Sequence, residues 1–117
     1  MKGLTILLVD DEPLMRLSMM DALEAVGCDV LAVPTGTDGI EAIRGEKTFD
    51  LVITDLRLPG ADGLTVLRTA KGKEPQTEVL VITAHGSVDT AVEAMKLGAF
   101  DYITKPFQMD ELLLIVE

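Results

Sequence analysis

Three acidic residues, Asp10, Asp11 and Glu12, stand together at the end of an apolar run in the stretch LLVDDEP. Neighbouring like charges repel one another, so these carboxylates favour a site that contains a cation. A further acid, Asp55, directly follows the apolar run LVIT. If the fold brings these acids together, their hard oxygen ligands suit Mg²⁺, which usually binds a phosphate oxygen as well.

Two other apolar runs end in residues that suit phosphoryl chemistry. Thr83 ends VLVIT and offers a hydroxyl group, and Lys105 follows DYIT and offers an ammonium group. A metal ion, an ammonium and a hydroxyl around one carboxylate would stabilise a phosphoryl group in transfer. Asp55 would be the nucleophile and would form an acyl phosphate.

Apolar runs and helical stripes alternate five times along the chain. We predict strands at residues 4–9, 29–33, 51–54, 79–83 and 101–104, and helices after Pro13, at 37–44, after the turn LPGADG, at 88–97, and from Met109 to the end. The first helix carries an apolar stripe at helical spacing, predicted to face inward: Met15, Met19, Ala22, Leu23 and Val26. Gly27 should end this helix.

This alternation predicts an α/β fold, a parallel five-stranded sheet with helices on both faces. Open parallel sheets bind ligands beyond the carboxyl ends of their strands, where the strand order reverses. In the order 2-1-3-4-5 that point lies between the first and third strands. Asp10 and Asp11 would then share one crevice with Asp55.

Composition limits the other possibilities. The 117 residues suit one domain, residues 1–117, and 48% of them are apolar. The charge of −10, without clustered Lys and Arg, argues against direct binding of nucleic acid.

No apolar run approaches the roughly 20 residues that span a bilayer. The lone cysteine, Cys28, and the absence of a signal-peptide pattern predict a cytoplasmic protein. The last helix reaches Glu117 without a cap, so we expect a domain cut from a longer protein, with that helix shortened.

Four stretches carry a family resemblance: VDDE, ITDLRLPGADG, VITAHG and DYITKPF, in order and at predicted strand ends. Together with the alternating pattern, they make nearly the whole chain resemble the receiver domain of two-component response regulators. The resemblance implies a flavodoxin-like, doubly wound (βα)₅ fold and a partner histidine kinase that donates the phosphoryl group. It also implies a signalling domain, not an enzyme, that promotes its own aspartyl phosphorylation and dephosphorylation.

The resemblance also assigns roles to the candidate residues. Asp55 corresponds to the phosphoacceptor. Asp11 and Asp55 correspond to direct Mg²⁺ ligands, Asp10 helps directly or through water, and the backbone carbonyl of Arg57 is the remaining protein ligand. Lys105 should pair with the phosphoryl group or with Asp55. Glu12 has no assigned role and is interpreted as a flank of the first helix.

Two residues are implied to transmit the signal. Thr83 should turn its hydroxyl towards a phosphoryl oxygen, and Tyr102 stands at the position of the switch aromatic, three residues before the lysine. Movement of Thr83 would let Tyr102 rotate inward. The face formed by the fourth helix, fifth strand and fifth helix would then change shape, which predicts a phosphorylation-dependent homodimer.

The stretch GSVDTAVEAMKLGAFDYITKPF is similar to receivers of NtrC-type regulators, which activate transcription with the sigma-54 form of RNA polymerase. Such a chain would continue into an ATPase domain and a DNA-binding helix-turn-helix domain. Arg57 and His85, two residues past Asp55 and Thr83, fit the same group as modulators. His85 either lies over the path of the water that hydrolyses the acyl phosphate or is an exposed loop residue. A receiver without an output domain is the alternative.

Leu14 and Leu17 fall on the outer side of the first helix, within about one turn of the acidic crevice. Isolated exposed leucines are common, but an apolar rim here would help a kinase to dock.

Two other functions fit the sequence less well. A haloacid-dehalogenase-like phosphatase carries its aspartate nucleophile on the first strand with a second acid two residues later, whereas here Asp55 is on the third strand. A flavodoxin-like flavin-binding module needs a hydroxyl- and amide-rich phosphate loop after the first strand, and DDEP would repel a bare phosphate.

Overall fold

A computed structural model describes residues 3–84 and 88–116, and this part of the chain contains five strands and five helices in strict alternation. The strands are β1 (Thr5–Val9), β2 (Asp29–Val33), β3 (Leu51–Asp55), β4 (Glu78–Thr83) and β5 (Asp101–Thr104). The helices are α1 (Pro13–Ala25), α2 (Gly36–Arg44), α3 (Gly63–Lys73), α4 (Val88–Lys96) and α5 (Met109–Val116). Each predicted element is present.

The strands form one parallel sheet in the order β2-β1-β3-β4-β5. The predicted fold class and strand order are therefore confirmed. In the central pair, Val9 of β1 lies opposite Thr54 of β3. The residues that follow these two positions, Asp10 and Asp55, are therefore brought to the same edge of the sheet.

The uninterrupted apolar strands are explained by a core on each face of the sheet. Successive side chains of a strand point to opposite faces, so Leu7 and Val9 pack with Val66 and Leu67 of α3 on one face. Ile6 and Leu8 pack with α1 and α5 on the other. A strand with two buried faces needs apolar residues at every position, as the sequence predicted.

Most predicted boundaries are correct to within about one residue. α1 begins at Pro13, as expected of a residue whose missing N–H would be unpaired there. The prediction of an inward Val26 was wrong, because α1 ends at Ala25 and Val26 is 36% exposed just after it. α2 begins one residue earlier than predicted, because the Thr35 side chain caps it by accepting from the Asp38 backbone N–H at 3.0 Å.

A close approach of two backbones joins α2 to the loop after β3. Gly36, the first residue of α2, is buried, and its N–H donates to the Pro59 carbonyl at 3.3 Å. A Cβ atom on Gly36 would lie only 1.7 Å from the Ala61 carbonyl oxygen. Glycine is therefore required here by the space available, and the β3–α3 loop rests directly on the start of α2.

None of the helices in the described ranges combines the length and the apolar character that crossing a membrane would require.

Candidate functional site

The carboxyl ends of β1 and β3 bring three acidic side chains into one crevice. Asp10, Asp11 and Asp55 each place a carboxylate oxygen within 4.8 Å of the other two. This juxtaposition follows from the parallel pairing of β1 with β3, which places the ends of both strands side by side. The residues that the sequence predicted to share a crevice therefore do share one.

Asp55 is buried, and both of its carboxylate oxygens accept hydrogen bonds. Its Oδ1 accepts from the backbone N–H of Arg57 at 3.0 Å, and its Oδ2 accepts from the Lys105 Nζ at 2.8 Å. Behind it, Gly63 packs so closely that a Cβ would lie 2.3 Å from the Asp55 carbonyl oxygen. The carboxylate is thus held in one orientation, facing the other acids.

Asp10 is completely buried, and only one of its two carboxylate oxygens accepts a hydrogen bond from the described residues. Its Oδ1 accepts from the Glu12 backbone N–H at 2.9 Å. Among the described residues its Oδ2 has no hydrogen-bond partner, and the nearest cation, the Lys105 Nζ, lies 3.6 Å away. Burial raises the pKa of Asp10 above its usual value, and the negative charge of Asp55 adds to this, while the Glu12 N–H and Lys105 oppose it. An unpartnered, buried carboxylate oxygen is a ready ligand for a cation.

Lys105 is the cation already present in the crevice. It follows β5, precedes Pro106 through a cis peptide bond, and donates its backbone N–H to the Thr83 carbonyl at 2.8 Å. Burial alone would lower the pKa of Lys105, but hydrogen bonds to Asp55 and Glu12 and the charge of Asp10 outweigh it, so this pKa is raised. Lys105 is therefore firmly protonated.

Glu12 is a site residue that sequence reasoning missed. Its Oε1 accepts from the Lys105 Nζ at 2.8 Å, the same length as the bond between Lys105 and Asp55. The interpretation of Glu12 as only a flank of α1 was therefore incomplete. The two residues are 93 positions apart, and nothing local in the sequence announces the pair; only the strand order could have suggested it.

The two switch candidates lie on neighbouring strands. Thr83, at the end of β4, is buried, and its hydroxyl lies 3.3 Å from the hydroxyl of Thr104 on β5. Tyr102 lies on the same face of β5 as Thr104, two residues earlier, and is 46% exposed. The aromatic ring is thus in an outward position.

The remaining predicted residues are placed as follows. The Arg57 backbone N–H holds Asp55, while its side chain is exposed; the role of its carbonyl as a metal ligand stays a prediction. His85 lies outside the described residues. Leu14 and Leu17 are 81% and 52% exposed on α1, as predicted, and Leu17 helps to line a surface groove of about 320 Å³.

The residues fit a divalent cation. The three carboxylates supply only oxygen ligands, of which one is buried without a hydrogen bond, and Asp11 at the exposed mouth leaves room for water. Mg²⁺ prefers such a set, with a few protein oxygens and several waters. Lys105 forms ion pairs with Asp10, Glu12 and Asp55, and its single positive charge cannot balance three carboxylates, so the site favours a further cation.

The chain matches the response regulator receiver domain family over residues 6–117. It is 39% identical to the DNA-binding transcriptional regulator NtrC of Escherichia coli (strain K12) over 109 residues, which are 93% of this chain and 23% of NtrC. It is 38% identical over 112 residues to the transcriptional regulatory protein FixJ of Bradyrhizobium diazoefficiens, covering 96% of this chain and 54% of FixJ.

Solved structures give the same result. A receiver domain from Clostridium thermocellum superposes with a TM-score of 0.89 at 34% identity, covering 97% of this chain and 90% of the other. NtrX of Brucella abortus, in complex with ADP, gives 0.90 at 34% identity, covering 97% of this chain and 26% of NtrX. The chain thus spans about a quarter of the length of NtrC and of NtrX.

Proposed function

The chain belongs to the response regulator receiver domain family, and we propose that it accepts a phosphoryl group from a histidine kinase on Asp55 in a Mg²⁺-dependent reaction. The observation that supports this most is the position of the Asp55 carboxylate, held between Lys105 on one side and Asp10 and Asp11 on the other. An Asp55 oxygen would attack the phosphorus of the phosphohistidine. The P–O bond forms as the P–N bond breaks, and the histidine nitrogen takes the electron pair.

The side chains divide the work between them. Asp10, Asp11, Asp55 and the Arg57 carbonyl would hold the metal ion, which when bound supplies positive charge to the phosphoryl oxygens. Lys105 would exchange its bond to Asp55 for a bond to a phosphoryl oxygen.

The hydroxyl of Thr83 would donate to another phosphoryl oxygen. The residues position the group and balance its charge. The domain would thus be a signalling module that promotes its own phosphorylation and dephosphorylation, not a turnover enzyme.

Intact-mass measurement with a small phosphodonor tests this proposal directly. The chain should gain one phosphoryl group in Mg²⁺. It should gain none in EDTA, and Asp55→Asn should gain none under either condition. Labelling of Asp55→Asn would contradict the assignment of the acceptor.

The output is proposed from the relatives. They include NtrC, PilR of Pseudomonas aeruginosa and AtoC of Escherichia coli, each about four times as long as this chain. We propose that this receiver controls sigma-54-dependent transcription in the cytoplasm through an ATPase domain and a DNA-binding domain that follow it. A receiver that acts without an output domain is the alternative, and the full reading frame distinguishes the two.

The signal would leave through the face formed by α4, β5 and α5. Apolar side chains are exposed on each of these elements: Val88, Val92 and Met95 on α4, Tyr102 on β5, and Leu114 on α5. Repacking of Tyr102 after phosphorylation would reshape this face and change self-association. Sedimentation of the phosphorylated and unphosphorylated forms tests this, and identical behaviour would count against a phosphorylation-dependent homodimer.

A further inference from the structure

Glu12 is linked to the crevice of Asp10, Asp11 and Asp55 by its hydrogen bond with Lys105. The ammonium lies 2.8 Å from Glu12, in the loop between β1 and α1, and 2.8 Å from Asp55, at the end of β3, so two carboxylates hold it equally closely. The Glu12 side chain is 60% exposed, while those of Lys105 and Asp55 are largely buried. Glu12 therefore binds Lys105 from the open side of the crevice.

Other uses of the Glu12 side chain are not supported by its contacts. Glu12 is the N-cap residue of α1, but its side chain makes no capping hydrogen bond. It does not belong to the group of acids whose oxygens lie within 4.8 Å of one another in the described part of the chain. Its side chain instead spans the mouth of the crevice to Lys105, while its backbone N–H fixes Asp10.

We propose that Glu12 is a positioning residue for phosphoryl transfer, which holds the Lys105 ammonium over Asp55 before and after the group arrives. This rests on the proposed function of the site. It assigns to Glu12 a role in the rate of transfer, separate from metal binding and from helix capping.

The reason lies in the geometry of the lysine. An ammonium has three N–H donors on a flexible four-carbon stem, and placing it costs conformational entropy. In the resting site one donor binds Asp55 and another binds Glu12. When Asp55 becomes an acyl phosphate, the first bond can pass to a phosphoryl oxygen while the bond to Glu12 persists. The bond to Glu12 then keeps the Lys105 ammonium in place while its other bond changes partner, so the conformational entropy of the side chain does not have to be lost a second time.

The experiment is a double-mutant cycle with Glu12→Gln and Lys105→Gln. The phosphorylation rate is measured by intact mass over a range of phosphoramidate concentrations in saturating Mg²⁺, which separates the maximal rate constant from the half-saturating concentration. Glu12→Gln should lower the maximal rate constant by about two- to fivefold, the size expected of a partly exposed ion pair. The half-saturating concentration should not rise, because losing a negative charge at the mouth weakens the repulsion of an anionic donor.

In the Lys105→Gln background, Glu12→Gln should leave the maximal rate constant unchanged, since the group that Glu12 positions is gone. Glu24→Gln is the matched control. It neutralises an exposed glutamate near the far end of the same helix and should change neither constant. A second double-mutant cycle measures the affinity of the same variants for beryllofluoride, an inert mimic of the phosphoryl group. This cycle can be completed even if the Lys105 variants are phosphorylated too slowly for a rate to be measured.

An equal loss of rate with and without Lys105, or no loss at all, would overturn the proposal. Additive effects of the two substitutions on beryllofluoride affinity would do the same. Failure of the unmodified protein to accept a phosphoryl group would contradict the proposed function as well, so the two failures are distinguishable.

Discussion

Lys105 and Asp55 are 50 residues apart in the sequence, and the Lys105 Nζ donates to the Asp55 Oδ2 at 2.8 Å. The contact joins the ends of β3 and β5, with β4 between them. It gives the resting crevice an internal cation. An incoming metal ion and phosphoryl group must therefore share Asp55 with a charge that is already in place.

Asp10→Asn should stabilise the metal-free domain. The amide keeps an acceptor for the Glu12 N–H and removes a buried charge that has an unpartnered oxygen. We expect the free energy of unfolding in EDTA at pH 7 to rise by about 1 kcal/mol, and the stabilisation by Mg²⁺ to be lost. Urea unfolding with EDTA or Mg²⁺ measures both, and a variant less stable than the parent in EDTA would contradict the prediction.

The same carboxyl group should make stability depend on pH. Because the pKa of Asp10 is raised on folding, the folded state binds this proton more tightly than the unfolded chain. Stability in EDTA should therefore fall as the pH rises from about 4, the ordinary pKa of an aspartate, through the folded pKa of Asp10. Subtracting the curve of Asp10→Asn isolates this contribution, and a difference that is flat with pH would refute it.

Lys105→Met should destabilise the metal-free domain. It leaves Asp10 and Asp55 buried without their cation, and we expect a loss of about 1–3 kcal/mol. Because folding raises the pKa of Lys105, the contribution of this side chain to the free energy of unfolding is fully present below about pH 10. That contribution is lost as the pH rises through the pKa that Lys105 has in the folded state. Mg²⁺ should reduce the difference in the free energy of unfolding between Lys105→Met and the unmodified protein, because the ion replaces the missing positive charge. Lys47→Met, at an exposed lysine 3.4 Å from Asp29, is the matched control and should cost less than about 1 kcal/mol.

Thr83→Ala should separate labelling from switching. Tyr102 is the only tyrosine and the chain has no tryptophan, so tyrosine fluorescence reports on this one side chain. In the unmodified protein, phosphorylation should change this fluorescence as the ring moves from its exposed position. In Thr83→Ala the group should still be added to Asp55, more slowly, and the fluorescence change should be largely lost. A fluorescence change in Thr83→Ala as large as that in the unmodified protein would mean that Tyr102 responds to phosphorylation without Thr83.

Leu14→Ala and Leu17→Ala should reduce phosphoryl transfer from a histidine kinase and leave labelling by a small phosphodonor intact. Both side chains are exposed near the start of α1, the helix that follows the acidic residues. Leu114→Ala, at a 72% exposed leucine on α5, is the matched control and should transfer normally. Equal loss with the kinase and with the small donor would place the defect in the crevice and not in docking.

Gly36→Ala should destabilise the domain strongly, by about 2–4 kcal/mol, because the new methyl group meets the Ala61 backbone. Gly72→Ala in α3, where a Cβ would meet nothing within 4 Å, should instead stabilise by about 0.5–1 kcal/mol. Thermal and urea unfolding of the pair measure this contrast. A tolerated alanine at position 36 would show that the loop can move away without cost.

The sequence by itself determined the architecture, because its information is local and periodic. Continuous apolar runs predicted strands buried on both faces, helical stripes predicted the helices between them, and the parallel order placed Asp10, Asp11 and Asp55 at one edge. Tertiary structure decided what depends on distant partners. It left Asp10 buried with an unpartnered oxygen while Asp11 stayed exposed, and it exposed Val26 after the end of α1. It also paired Glu12 with Lys105 across 93 residues. Such contacts depend on the relative placement of whole elements, which no local pattern encodes.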